Sequence, residues 1–111
     1  MNVAETIRDQ LFAMDANLMF ALGYNSPQVT INDENKEGLR FKVKGIKHKG
    51  FVSIVLDEGR DLYDVEIFTL RKNPGVDPYD PTVDQYKKTV KYAAKAQFVE
   101  DLPGILEEYC Y

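Results

Sequence analysis

The sequence predicts an α+β fold: an N-terminal helix, a four-stranded antiparallel meander sheet, and a C-terminal helix or helices packed on one face. Three observations carry this. Val3, Ile7, Leu11 and Met14 recur at helical spacing, four stretches between Val29 and Ile67 alternate apolar with polar residues, and Leu102, Ile105, Leu106 and Tyr109 form a second helical stripe. With 111 residues, 44% of them hydrophobic, the chain suits a single domain, 1–111, around one core.

The first stripe continues through Leu18 and Leu22, but Asp15 and Asn17 interrupt it with side chains that favour caps. The expectation is one bent helix to about Ala21, or two short ones. Gly23-Tyr24-Asn25-Ser26-Pro27 then combines a permissive glycine, capping side chains and a proline, and ends the helix.

Val29 and Ile31 predict a short strand, and Leu39, Phe41 and Val43 a second, across the polar loop 33–37. Pairing Ile31 with Leu39 puts Val29 opposite Phe41. Gly45 and Gly50 bound the next loop, and pairing Val43 with Val52 puts Phe41 opposite Ile54. The stretch from Phe51 to Arg71 reads as a hairpin around Glu58-Gly59-Arg60-Asp61. If Asp57 and Leu62 close it, Leu56 faces Tyr63, Ile54 faces Val65 and Val52 faces Ile67. All three reversals then agree on one apolar face.

These registers also compose the outer face. Lys42, Ser53 and Glu66 fall in one row, Arg40, Val55 and Asp64 in the next, and Lys44, Phe51 and Phe68 in a third with Leu70 beyond it. Two adjacent phenylalanines on a solvent face call for a cover. The candidates are another chain or the segment 73–81, whose three prolines and glycine exclude helix and interior strand, with Tyr79 lying over Phe68.

Residues 82–101 carry Val83, Tyr86, Val90, Ala93, Ala94 and Phe98 at helical spacing, with Thr82 as N-cap. The alanines and lysines favour helix, while 87–93 also fits a fifth, edge strand. Pro103 suits a first helical turn, so the chain closes on a helix.

Function is bounded mainly by exclusion. No apolar run is long enough to span a membrane, and the acidic N-terminus does not resemble a signal peptide, so the reading is cytoplasmic. Cys110 is the single cysteine and His48 the single histidine, which removes disulfides, thiolate clusters, two-histidine metal sites and most catalytic dyads. Cys110 sits at a chain end expected to fray, and His48 in a lysine-flanked loop expected to be solvated and neutral. No phosphate-cradling glycine motif is present. Asp77, Asp80 and Asp84 lack calcium-loop spacing, and Glu58 and Asp61 read as solvated turn residues rather than an acid/base pair. No cofactor, metal or catalytic residue is expected.

The net charge is −4, but it is unevenly spread. Gly38 to Leu56 holds Arg40, Lys42, Lys44, Lys47 and Lys49 and no acid, whereas Asp57 to Asp84 holds eight acids against Arg60, Arg71 and Lys72. Two binding readings follow. The first is a protein partner docking on Phe51, Phe68 and Leu70 with Lys44 at the rim, with a homodimer through the same patch compatible with it. The second is a single-stranded nucleic acid held by Lys42, Lys44, Lys47, His48 and Lys49 beside Phe51.

Four blocks carry a resemblance: Gln10 to Phe20 (QLFAMDANLMF), Leu39 to Lys44 (LRFKVK), Val52 to Thr69 (VSIVLDEGRDLYDVEIFT) and Val99 to Tyr109 (VEDLPGILEEY). They resemble a family of small bacteriophage and mobile-element proteins in which a block similar to AMTGAKNF leads to strands ending in a YDVEF-like sequence and a terminal helix. Tyr63-Asp64-Val65-Glu66-Ile67 matches it best. The resemblance implies a phage or mobile-element origin and a bacterial host, and it supplies no catalytic residues. The functional expectation is a non-enzymatic accessory or anti-defence protein acting on a host or phage protein.

Overall fold

The structure is a computed structural model and describes residues 3–31, 35–57, 59, 62–72, 79 and 86–111. Helix α1 (Val3–Ala21) breaks at Asp15, whose backbone leaves helical geometry (φ −156°, ψ 77°). The Asp15 carboxylate accepts the Leu18 N–H at 3.1 Å, capping the second segment as an aspartate in this position can. Gly23 adopts φ +65° just past the end, where a side chain would be strained.

Five strands follow in order: β1 (Asn25–Ile31), β2 (Glu37–Lys44), β3 (Lys49–Asp57), β4 (Leu62–Lys72) and β5 (Tyr86–Gln97). They form one antiparallel sheet in the order β1-β2-β3-β4-β5. The meander expected from the alternation is present, with one strand more. Residues 86–97 are strand rather than the favoured helix, because β4 offers an edge along its whole length and pairing with it overrides the helical propensity of the alanines and lysines. Thr82 and Val83 lie outside the described residues, as do Glu58 and Asp61 and the three aspartates at 77, 80 and 84.

The β3–β4 register matches the expectation: Leu56 faces Tyr63, Ile54 faces Val65 and Val52 faces Ile67. The two earlier registers are displaced by two residues. Val29, not Ile31, faces Leu39, and Phe41 faces Val52 rather than Ile54. A slip of two keeps every side chain on its face but changes its neighbour. The 45–50 turn is tighter than its glycines suggest, with the ladder reaching Lys44 opposite Lys49 and the Gly45 N–H donating to the His48 carbonyl.

One face of the sheet carries the core. Phe41, Val43, Val52, Ile54, Val65 and Ile67 meet Ile7, Leu11, Leu18, Met19 and Leu22 of α1. After a 3₁₀ turn (Val99–Asp101), helix α2 (Leu102–Tyr109) adds Leu102 and Leu106 to the same cluster. Each such side chain contributes about 1.5–3 kcal/mol by leaving water. Tyr63 pins sheet to helix by donating its hydroxyl to Gln10 at 2.8 Å.

The chain end is not frayed. Cys110 is fully buried in the core, and its carbonyl accepts the N–H groups of Lys47 and His48. Burial pushes its thiol up to about 11. Gly45 passes so close that a Cβ there would lie 1.8 Å from the Cys110 carbonyl oxygen, so only glycine fits. Among the described residues no helix is long and apolar enough to cross a membrane.

Candidate functional site

Among the described residues, both helices pack on one face of the sheet. On the outer face the central row is Lys42, Phe51, Phe68 and Val90, with Lys42 where the sequence registers placed Lys44. Arg40 likewise replaces Lys42 beside Ser53 and Glu66, and Gly38 replaces Arg40 beside Val55 and Asp64. All three changes are the same two-residue slip of β2.

The Phe51 and Phe68 rings stack with centroids 5.6 Å apart and planes 14° from parallel. Cations sit on both. The Arg40 guanidinium lies 4.8 Å and the Lys42 ammonium 5.3 Å from the Phe51 centroid, and the Lys88 ammonium lies 4.6 Å from that of Phe68. Each contact adds about 0.5–1 kcal/mol at an exposed site and fixes a charge that would otherwise swing freely. Lys88 also pairs with Glu66. Phe68 is only 3% exposed, Phe51 and Leu70 are half-buried, and Lys44 is exposed. Tyr79, expected over Phe68, is instead 90% exposed.

The basic loop does not act as a unit. Lys42, Lys44 and Lys49 stay on the outer face, and Lys44 stands directly opposite Lys49, a like-charge pair that costs stability. Lys47 turns the other way and donates to the Glu108 carbonyl at 3.0 Å, compensating the negative end of α2. His48 is buried, at 5% exposure, instead of solvated. Its Nε2–H donates to the Phe51 carbonyl at 3.3 Å, since a carbonyl can only accept. Burial lowers its pKa, with the Lys91 charge assisting, and outweighs the stabilising effect of the Phe51 carbonyl on the protonated ring. The expected neutrality therefore has burial as its first cause. Lys91 in turn donates to the Lys47 carbonyl. The loop is thus a clasp between the sheet and the chain end.

Farther along the outer face, Lys36 bridges Asp64 at 2.8 Å and Asp57 at 3.6 Å. Burial alone would raise the Asp64 pKa, but the hydrogen bonds from Lys36 and the Ala96 N–H, with the charges of Lys36 and Lys95, bring it below the usual carboxylate value. Between this pair and the rings lies an open cleft of ≈350 Å³, whose lining includes the small side chains of Ser53, Val55 and Ala93 and the cations Arg40 and Lys88. Among the described residues no group of three or more His, Cys, Asp or Glu side chains is placed to hold a metal.

The sequence reading put Arg40 on this face but two rows from Phe51, because of the register slip, and missed Lys88. Lys88 lay in a segment read as helix, and only its cross-strand position opposite Leu70 brings it to the rings. Comparison with protein families, with curated proteins and with solved structures finds no match to this chain.

Proposed function

We propose that this chain is a non-enzymatic binding protein that docks the outer face of its sheet on an acidic surface of a host or phage protein. The observation that carries the reading is the stacked Phe51–Phe68 pair with Arg40, Lys42 and Lys88 held over it. Cations held over the rings in this way lose less freedom when they meet carboxylates than cations that swing freely. Lys44 and Lys49 extend the positive field along one end, where an anionic partner relieves their mutual repulsion. The resemblance of the YDVEI and neighbouring blocks supports a reading of phage or mobile-element origin, with a role as an accessory or anti-defence factor in the bacterial cytoplasm.

A single-stranded nucleic acid is the weaker occupant. Base stacking needs an open ring, whereas Phe68 is buried and Phe51 is topped by two cations. Lys47 and His48, two of the five residues that composed that site in sequence, serve the clasp instead.

Titration of the ¹⁵N-labelled protein with poly-glutamate and, separately, with oligo-dT separates the two. The protein reading expects poly-glutamate to shift the amides of residues 40–42, 51 and 88, an effect weakened by salt and lost in Arg40→Glu/Lys42→Glu. Binding of oligo-dT alone would replace it with the nucleic-acid reading, and response to neither polymer would remove both.

A further inference from the structure

The sheet has two edges, and the chain protects one of them. β5 carries Lys87, Lys88, Lys91 and Lys95 and two register shifts, the devices that keep an edge from pairing with another chain. β1 is different. Its irregularity and Pro27 fall in the first half, and from Gln28 to Ile31 it runs in unbroken register against β2 without a charged residue. Val29 and Ile31 are 56% and 65% exposed, although Val29 faces the core residue Leu39. By alternation both share the face that carries the core; Val29 lines a groove of ≈180 Å³ between β1 and the first turns of α1, while Ile31, at the end of the strand, also borders the outer-face cleft.

We propose that this edge is a homodimer contact, in which β1 of a second copy pairs antiparallel with it across a two-fold axis through Thr30. Opposed residues in an antiparallel ladder share a face, so a two-fold pairing must put a residue opposite its own copy. With Thr30 on the axis, Val29 meets the partner's Ile31 and Ile31 meets the partner's Val29. All four apolar side chains then gather on the core face, and the two sheets join into one of ten strands. An axis through Val29 would draw Pro27, which has no N–H, into the ladder. The edge is neutral, so two copies meet without like-charge repulsion, and of the charges bordering the groove Arg8 already pairs with Asp9 at 3.1 Å. A short strand pairing buries less than the roughly 800 Å² per partner of stable interfaces, so the dimer is weak and concentration-dependent. It leaves the outer face of both copies open and does not rest on the docking proposed above.

Sedimentation of the full chain from ~10 μM to ~1 mM tests this range of affinities. The wild type is expected to pass from monomer to dimer. Val29→Lys and Ile31→Lys are each expected to raise the dissociation constant at least ~10-fold with the melting temperature unchanged, because both side chains are exposed in the monomer. Arg40→Glu is expected to leave the dimer as it is. As a second readout, hydrogen exchange at the amides of residues 29–31 slows as the wild-type concentration rises. A wild type that stays monomeric at the highest concentration overturns the proposal. So does a dimer that survives both lysine substitutions, or one that Arg40→Glu abolishes.

Discussion

The carboxylate of Asp64 accepts the backbone N–H of Ala96 at 3.0 Å, across a point where β4 and β5 fall out of register. Ala96 has φ +58°, a left-handed conformation that costs a non-glycine residue on the order of 1 kcal/mol. The side chain of one strand thus stands in for the ladder partner that the bulge removes from the other.

Asp64→Ala leaves that N–H and the Lys36 ammonium without this acceptor, and a loss of about 1–3 kcal/mol is expected in urea unfolding. Because the Asp64 pKa is lowered by folding, its contribution is complete above the ordinary carboxylate value of 3.8 and disappears as pH falls through the folded pKa. Acid unfolding of the variant therefore shows a shallower dependence in that range.

His48 has the opposite proton linkage. Its pKa is below the ordinary 6.5, so the folded state binds fewer protons than the unfolded one, and stability drops as pH falls from 6.5 towards the folded pKa. Chemical denaturation between about pH 7 and pH 5 reads this slope, and His48→Gln, which keeps a donor for the Phe51 carbonyl, is expected to flatten it.

Cys110 reports on the clasp. Burial and a pKa of about 11 leave almost no accessible thiolate, so an aromatic disulfide reagent at mildly alkaline pH is expected to react on the order of 100-fold faster after denaturation than before. Equal rates in the two states would mean that the chain end is loose.

Two glycines should respond in opposite directions. Gly45→Ala drives a methyl group into the Cys110 carbonyl and is expected to cost about 3 kcal/mol or more, with thiol labelling accelerated. Gly104→Ala meets nothing within 4 Å, and a better helix former in α2 is expected to gain about 0.5 kcal/mol. Melting curves of the two variants displaced in the same direction would contradict this account of the two sites.

Local patterning made much of this fold legible. The break of α1 at Asp15, the β3–β4 register and the division of side chains between faces all depend on near neighbours, which the sequence displays. Offsets along the ladder do not. The Val43–Gly50 pairing depends on a turn held by the Cys110 carbonyl, a contact between residues far apart in the chain. β5 was obscured for a related reason: its two bulges break strict alternation, and its lysines and alanines suit a helix equally well. The candidate surface suffered most, since a slip of two exchanged Arg40, Lys42 and Lys44 among rows while leaving the core untouched. The rings were legible, but the cations that sit on them were not.

The irregularity at Lys91 also bears on how this chain can change length. Val90 and Tyr92 face the consecutive residues Phe68 and Ile67, so Lys91 is surplus to the alternation. Deleting it would join two residues whose partners are already adjacent and turn no other side chain over, at the cost of its bond to the Lys47 carbonyl. Deleting Thr89 instead would invert every side chain on one side of the cut. A one-residue deletion at Lys91 therefore keeps every other side chain of this strand on its own face, and one on either side of it does not.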